Sequence, residues 1–192
     1  MRSAFVLLGL LVIFLAPTSA FAQGDDSSGD TSAVPPAIDP CQLVTSAEAS
    51  ALAGVTYTSG TEESTGTGGN MCVYGSQTTN VFMVLVGQAP DAATAQASWA
   101  QYQAEAQSAV QKGLPPGVSV NYVVNDASVD GFDQSALATG SGSVGGRTIN
   151  GSAAYLLKGP TFVSFSDLLL DQPAPSMDNM TAQAETLLGR LP

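Results

Sequence analysis

The residues of this chain that carry reactive side chains close together are few. Asn125-Asp126, Asp130-Gly131 and Asp133 form its one acidic loop cluster. Oxygen donors at such spacing are what Ca²⁺ coordination uses, and carboxylates in a cleft serve hydrolysis. The spacing departs from the alternation of an EF-hand loop. Asp and Asn also bond their own backbone in turns, and a glycine beside them supplies a positive φ. Asp126, Asp130 and Asp133 are therefore weak metal candidates, and turn chemistry is the plainer account. Glu62-Glu63 is a second carboxylate pair, but neighbours on a strand point to opposite faces. Thr139 to Arg147, TGSGSVGGR, has the glycines of a phosphate cradle without its Gly-Lys-Ser/Thr ending, and reads as a flexible connection. Ser135 and Ser152 lack a base, because the chain contains no histidine. Lys112 and Lys158 stand at element ends, which does not favour the burial a lysine base needs.

Two cysteines, Cys41 and Cys72, remain. A lipid-anchored cysteine directly follows the leader's apolar run, and Cys41 does not. Zinc needs more ligands than two cysteines without histidine provide, and a thiol nucleophile has no usual base here. In an oxidising compartment such a pair reads as a disulfide. No cofactor motif accompanies it.

That compartment is indicated by the N-terminus. Arg2, the apolar run Ala4 to Ala16, Pro17 and the small-x-small triplet Ala20-Phe21-Ala22 have the layout of a secretory signal peptide over residues 1–22. The run is short for a spanning helix, which takes roughly 20 residues, and no second long apolar run follows. The expectation is a secreted, extracellular or cell-envelope protein with no stable membrane span once the leader is cut. The formal net charge of −11 becomes −12 when Arg2 leaves with the leader. Nucleic acid and anionic membranes require basic patches, so both are disfavoured as partners.

Residues 23–38, small and polar with a Pro pair, read as a disordered linker, and 39–192 as a single α+β domain. Thr45-Ser46-Ala47-Glu48 is a capping box opening a helix that Gly54 stops, with Leu43, Ala47, Ala51 and Leu52 inward. Strands are expected at 55–62, 71–75 and 81–87, the last apolar on both faces and hence central. A helix over 91–111 carries Ala92, Ala95, Trp99, Tyr102, Ala106 and Val110 at helical spacing, which makes Trp99 a core residue rather than a stacking platform. Strands at 118–124, 149–158 and 161–170 follow, with a loop at 126–134 and a stretch at 135–147 poor in bulky apolar residues and rich in Gly and Ser, and then a helix over 176–190. CVYGSQTTNVFMVLV and AAYLLKGPTFVSFSDLL share a layout: a strand with a Tyr, a small turn and a longer apolar strand, each followed by a helix. The expected fold is an antiparallel sheet of about six strands built from two hairpin-plus-helix repeats, with helices packed mainly on one face.

Asp39-Pro40-Cys41, Leu43-Val44-Thr45, Cys72-Val73-Tyr74, Gly131-Phe132-Asp133 with Ala136, and the ending Arg190-Leu191-Pro192 resemble the uncharacterised secreted and lipoprotein domains common in actinobacteria and related bacteria. Some of those are similar to the PsbP/Mog1-type fold. The resemblance spans Asp39 to Pro192 and implies that fold and an envelope location. It implies no catalytic residues. Its usual lipidated cysteine is missing here.

Three functions compete. The first is a non-enzymatic envelope binding module, holding a lipid, glycan or protein on a sheet face the helices leave open. Tyr57, Tyr74, Tyr122 and Tyr155 would line an apolar groove there. The second is a structural or inhibitory protein-interaction domain with a flat patch and no pocket. The third is a carboxylate- or Ca²⁺-dependent hydrolase on Asp126, Asp130 and Asp133.

Overall fold

The computed structural model describes residues 38–64, 69–75, 80–99, 101 and 119–192. The expected leader, most of the linker and the second half of the 91–111 helix lie outside them. Asp39 opens the domain: its side chain accepts the Cys41 N–H at 2.8 Å and caps the short helix α1, Pro40–Leu43, with Pro40 in the first turn. Thr45 and Glu48 close the expected capping box on α2, Ser46–Ala53, and Gly54 ends it at φ +68°. The inward residues of α2 are Ala49 and Ala53, whereas Ala47 and Ala51 are exposed. A helix built almost wholly from Ala and Ser has no apolar stripe to declare its inner face.

Seven strands follow: β1 Gly60–Ser64, β2 Asn70–Gly75, β3 Val81–Gln88, β4 Ser119–Ala127, β5 Gln134–Val144, β6 Arg147–Lys158 and β7 Thr161–Leu170. They form one antiparallel sheet in the order β1-β2-β3-β7-β6-β5-β4. Two meanders meet where β3 pairs with β7. The connection between them contains a helical run over 92–99, α3. α4, Met177–Leu187, and a 3-10 turn, Leu188–Arg190, complete the chain.

The strand missed by sequence reasoning is β5. ALATGSGSV has few bulky residues, yet it alternates with period two: Ala136, Ala138 and Gly140 are buried, while Thr139, Ser141 and Ser143 are exposed. The supposed phosphate cradle is thus the end of β5 and a tight turn at Gly145-Gly146, both at positive φ. Neither a cradle nor a flexible connection exists there.

Both faces of the sheet are packed. On one, Ala95 and Trp99 of α3 join Met83, Leu85, Leu157 and Phe162. The Trp99 and Phe162 rings lie 6.0 Å apart, so Trp99 is core. On the other, α1, α2 and α4 cover Phe82, Val84, Phe165, Leu156 and Leu169. β7 is buried at every position. Two hairpins do flank the sheet centre, β2–β3 and β6–β7. The helix after the first packs on one face and the helix after the second on the other. A two-fold relating antiparallel neighbours preserves faces, so the repeat does not extend to the helices. The extra strand and this split qualify the expectation of six strands with helices mainly on one face.

At Gly60 the chain has no room for a side chain. A Cβ there would meet the Cys72 Sγ at 2.4 Å and the Tyr74 ring at 2.6 Å. Both neighbours are fixed, one by a disulfide and one by burial. Gly60→Ala is expected to cost roughly 1–3 kcal/mol, as overpacking does, read as a lower urea midpoint at unchanged slope.

Candidate functional site

The four tyrosines do not share a groove. Tyr57 and Tyr74 belong to the face under α1, α2 and α4, and Tyr122 and Tyr155 to the opposite face. All are buried. The Tyr74 hydroxyl donates to the carbonyls of Cys41 and Val44, tying α1 to the sheet. The Tyr122 and Tyr155 hydroxyls bond each other at 2.5 Å.

The acidic cluster is spread along a turn. Asp126 lies within β4, opposite Ala136. Asp130 is exposed beside Gly131, which has φ +84°. Asp133 accepts the Gly159 N–H at 2.6 Å, and its own N–H donates to Leu157 at 2.8 Å. Asp133 therefore ties this turn to the β6–β7 turn. Among the described residues no group of three His, Cys, Asp or Glu side chains is placed to hold a metal. Glu62 and Glu63 stand exposed on β1, opposite Cys72 and Met71.

Asp167 is the polar group sequence reasoning passed over. It interrupts the apolar stretch TFVSFSDLLL of an expected strand, which is itself the sequence signal for a buried carboxylate. It is 1% exposed, flanked across the sheet by Phe82 and Ser152. Ser152 donates to it twice, from its backbone N–H at 3.2 Å and its hydroxyl at 2.5 Å. The same hydroxyl lies 3.3 Å from Met180 Sδ of α4. Burial pushes the Asp167 carboxyl up to about 7, against the lowering effect of the Ser152 bonds. Tyr57, whose hydroxyl is buried without a hydrogen-bond partner, is raised by burial and then by the Asp167 charge. Ser152 and Asp167 resemble a nucleophile with its carboxylate, but Ser152 is fully buried. A substrate atom cannot reach its oxygen in this arrangement.

Arg190 ends the 3-10 turn that follows α4. It reaches Glu48 with both guanidinium nitrogens, at 2.5 and 2.8 Å, and the Leu43 carbonyl at 2.6 Å. Glu48 is held down to about 2, chiefly by that Arg190 bond. A shallow cleft of about 360 Å³ lies beside this clasp, lined by Ile38, Asp39, Gln42, Leu43 and Gly189 to Pro192. Its one cation is already paired.

Besides β1, the sheet is also exposed at its other edge. On the α4 face, β4 and the distal half of β5 extend past the helices and expose Asn121, Val123, Asn125, Thr139, Ser141 and Ser143. Val123, 36% exposed, is the one large hydrophobic exposed among the described residues. The registers Asn121↔Ser141 and Val123↔Thr139 set these side chains side by side in one strip. Hydroxyls and amides there can donate and accept hydrogen bonds without the desolvation cost of charges. No family model matches the chain, and no curated protein matches it.

Proposed function

We propose that this protein is a secreted, non-enzymatic binding module of the cell envelope, and that it takes a protein partner on the open β4–β5 surface. The carrying observation is that strip: exposed and polar around Val123, without an apolar groove among the described residues. An exposed polar surface with one central apolar residue suits a protein partner better than a lipid tail. Support for secretion comes from the leader-like N-terminus and from the Cys41–Cys72 disulfide. Among the described residues no helix is long and apolar enough to cross a membrane. The resemblance to secreted and lipoprotein domains of actinobacteria points the same way.

Native mass spectrometry of the protein secreted by its own host, unreduced, tests the reading. A co-purifying polypeptide is expected with the wild-type chain and lost with Ser141→Arg, which places a long cation on the strip without touching the core. A partner that survives Ser141→Arg, or a bound lipid mass in its place, overturns the proposal.

A further inference from the structure

The two edges of the sheet differ in a way that bears on how a partner would attach. An edge strand presents unpaired N–H and C=O groups, and proteins guard such edges with short strands, charges, Pro or bulges. β1 is guarded: it has five residues, two of them the exposed Glu62 and Glu63. β4 is not. It runs nine residues, SVNYVVNDA, with no Pro and no Lys. Its pairing with β5 is regular from Ser119↔Ser143 to Ala127↔Ser135, so no bulge twists it away. Up to Asn125 it has no charge. Among the described residues no strand lies beyond it.

We propose that the outer edge of β4 accepts an added strand from an extended, basic segment of the partner protein. The inference rests on the binding-module reading above and specifies its chemistry: main-chain hydrogen bonds along β4 give affinity, and Val123 with Asn121 and Asn125 contacts alternate side chains of the incoming strand. Charge argues for the basic character. The chain carries sixteen acidic residues against five basic ones. Of the described cations, Arg147 and Arg190 sit in ion pairs. Asp130 and Asp133 stand in the turn after β4, where Lys158 is the nearby cation among the described residues. An antiparallel strand brings its N-terminal end to these carboxylates, so its basic residues belong there. A second copy fits less well. It brings the same large negative charge to the edge.

The test uses the full mature chain and a synthetic nine-residue peptide of alternating Val and Thr with two lysines at its N-terminus. Controls are the same peptide N-methylated at every residue, which keeps charge and side chains but cannot form the ladder, and a version with glutamates for the lysines. The parent peptide is expected to bind and to slow amide exchange in β4 but not in β1. Each control is expected to bind at least about tenfold more weakly, since the main-chain bonds are lost or the charges are reversed. No binding of the parent peptide, equal binding of the N-methylated one, or protection elsewhere than β4 overturns strand addition. Equal binding of the glutamate peptide overturns the basic partner. If the peptide fails while Ser141→Arg still releases the host partner, strand addition alone is wrong. If Ser141→Arg releases nothing, the binding-module reading itself falls.

Discussion

Asp167→Asn is expected to make the folded chain more stable at pH 8 and no more stable, or less, at pH 5. Asp167 is buried, accepts both of its hydrogen bonds from Ser152, and has no cation beside it. Its carboxyl lies near 7 when folded and near 3.8 when unfolded. Between those values the folded chain holds the proton and the unfolded chain releases it. The stabilisation from this group is therefore full below about 4 and is lost as pH rises through about 7. The span corresponds to about 4 kcal/mol. The amide keeps an acceptor for Ser152 and abolishes the buried charge, but its own donors enter an apolar site and cost about 1–2 kcal/mol. The net gain at pH 8 should be roughly 2–3 kcal/mol. Urea unfolding of both proteins at pH 5 and pH 8 reads this directly. A variant destabilised equally at both would mean that the folded carboxylate carries no burial cost. Glu48 acts in the opposite sense and in a separate window: its folded value is near 2, so its contribution is lost only as pH falls from about 4.5 through 2.

The same residue shows what a linear reading can and cannot see. β7 was legible as a strand because the mostly apolar stretch Thr161 to Leu170 follows the Gly159-Pro160 turn as the hairpin partner of the preceding strand. The carboxylate inside that stretch was legible too, but its partner was not, since Ser152 lies on another strand and only register brings the two together. Local chemistry was read well: the Thr45–Glu48 box, Gly54 and the Gly159-Pro160 turn all involve neighbours in sequence. β5 was missed because its alternation is between Gly or Ala and Ser or Thr, which differ little in hydrophobicity. The tyrosines misled for a related reason. Alternation assigns a residue to one side of its own strand, but it does not say which side of the sheet each helix will cover. Tyr57 and Tyr122 therefore looked equivalent while lying on opposite faces. The β4–β5 strip, finally, is defined by where α4 stops, which is a property of packing.

Cys41 and Cys72 supply the other large effect. Their disulfide joins residues 31 apart in sequence, Cys41 in α1 and Cys72 in β2. Closing a loop of that length restricts the unfolded chain by about 3–4 kcal/mol on the chain-entropy account. Replacing both by alanine, Cys41→Ala with Cys72→Ala, is expected to lower stability by about that amount, and reduction of the wild type to do nearly the same. The loss should also be uneven. α1 is a single turn, too short to persist alone. Its other ties are the Tyr74 hydroxyl to the Cys41 and Val44 carbonyls, the Arg190 bond to Leu43, and the burial of Leu43 and Val44. Those ties operate only while α1 lies on the sheet. Without the covalent link, α1 and α2 should open at lower free energy than the β3–β7 centre, which packs on both faces. Hydrogen exchange resolves this. Protection in residues 40–53 is expected to fall further than protection in β3 and β7. A uniform fall across the sheet would instead show that α1 opens only with the whole fold, and that the disulfide acts solely on the unfolded chain.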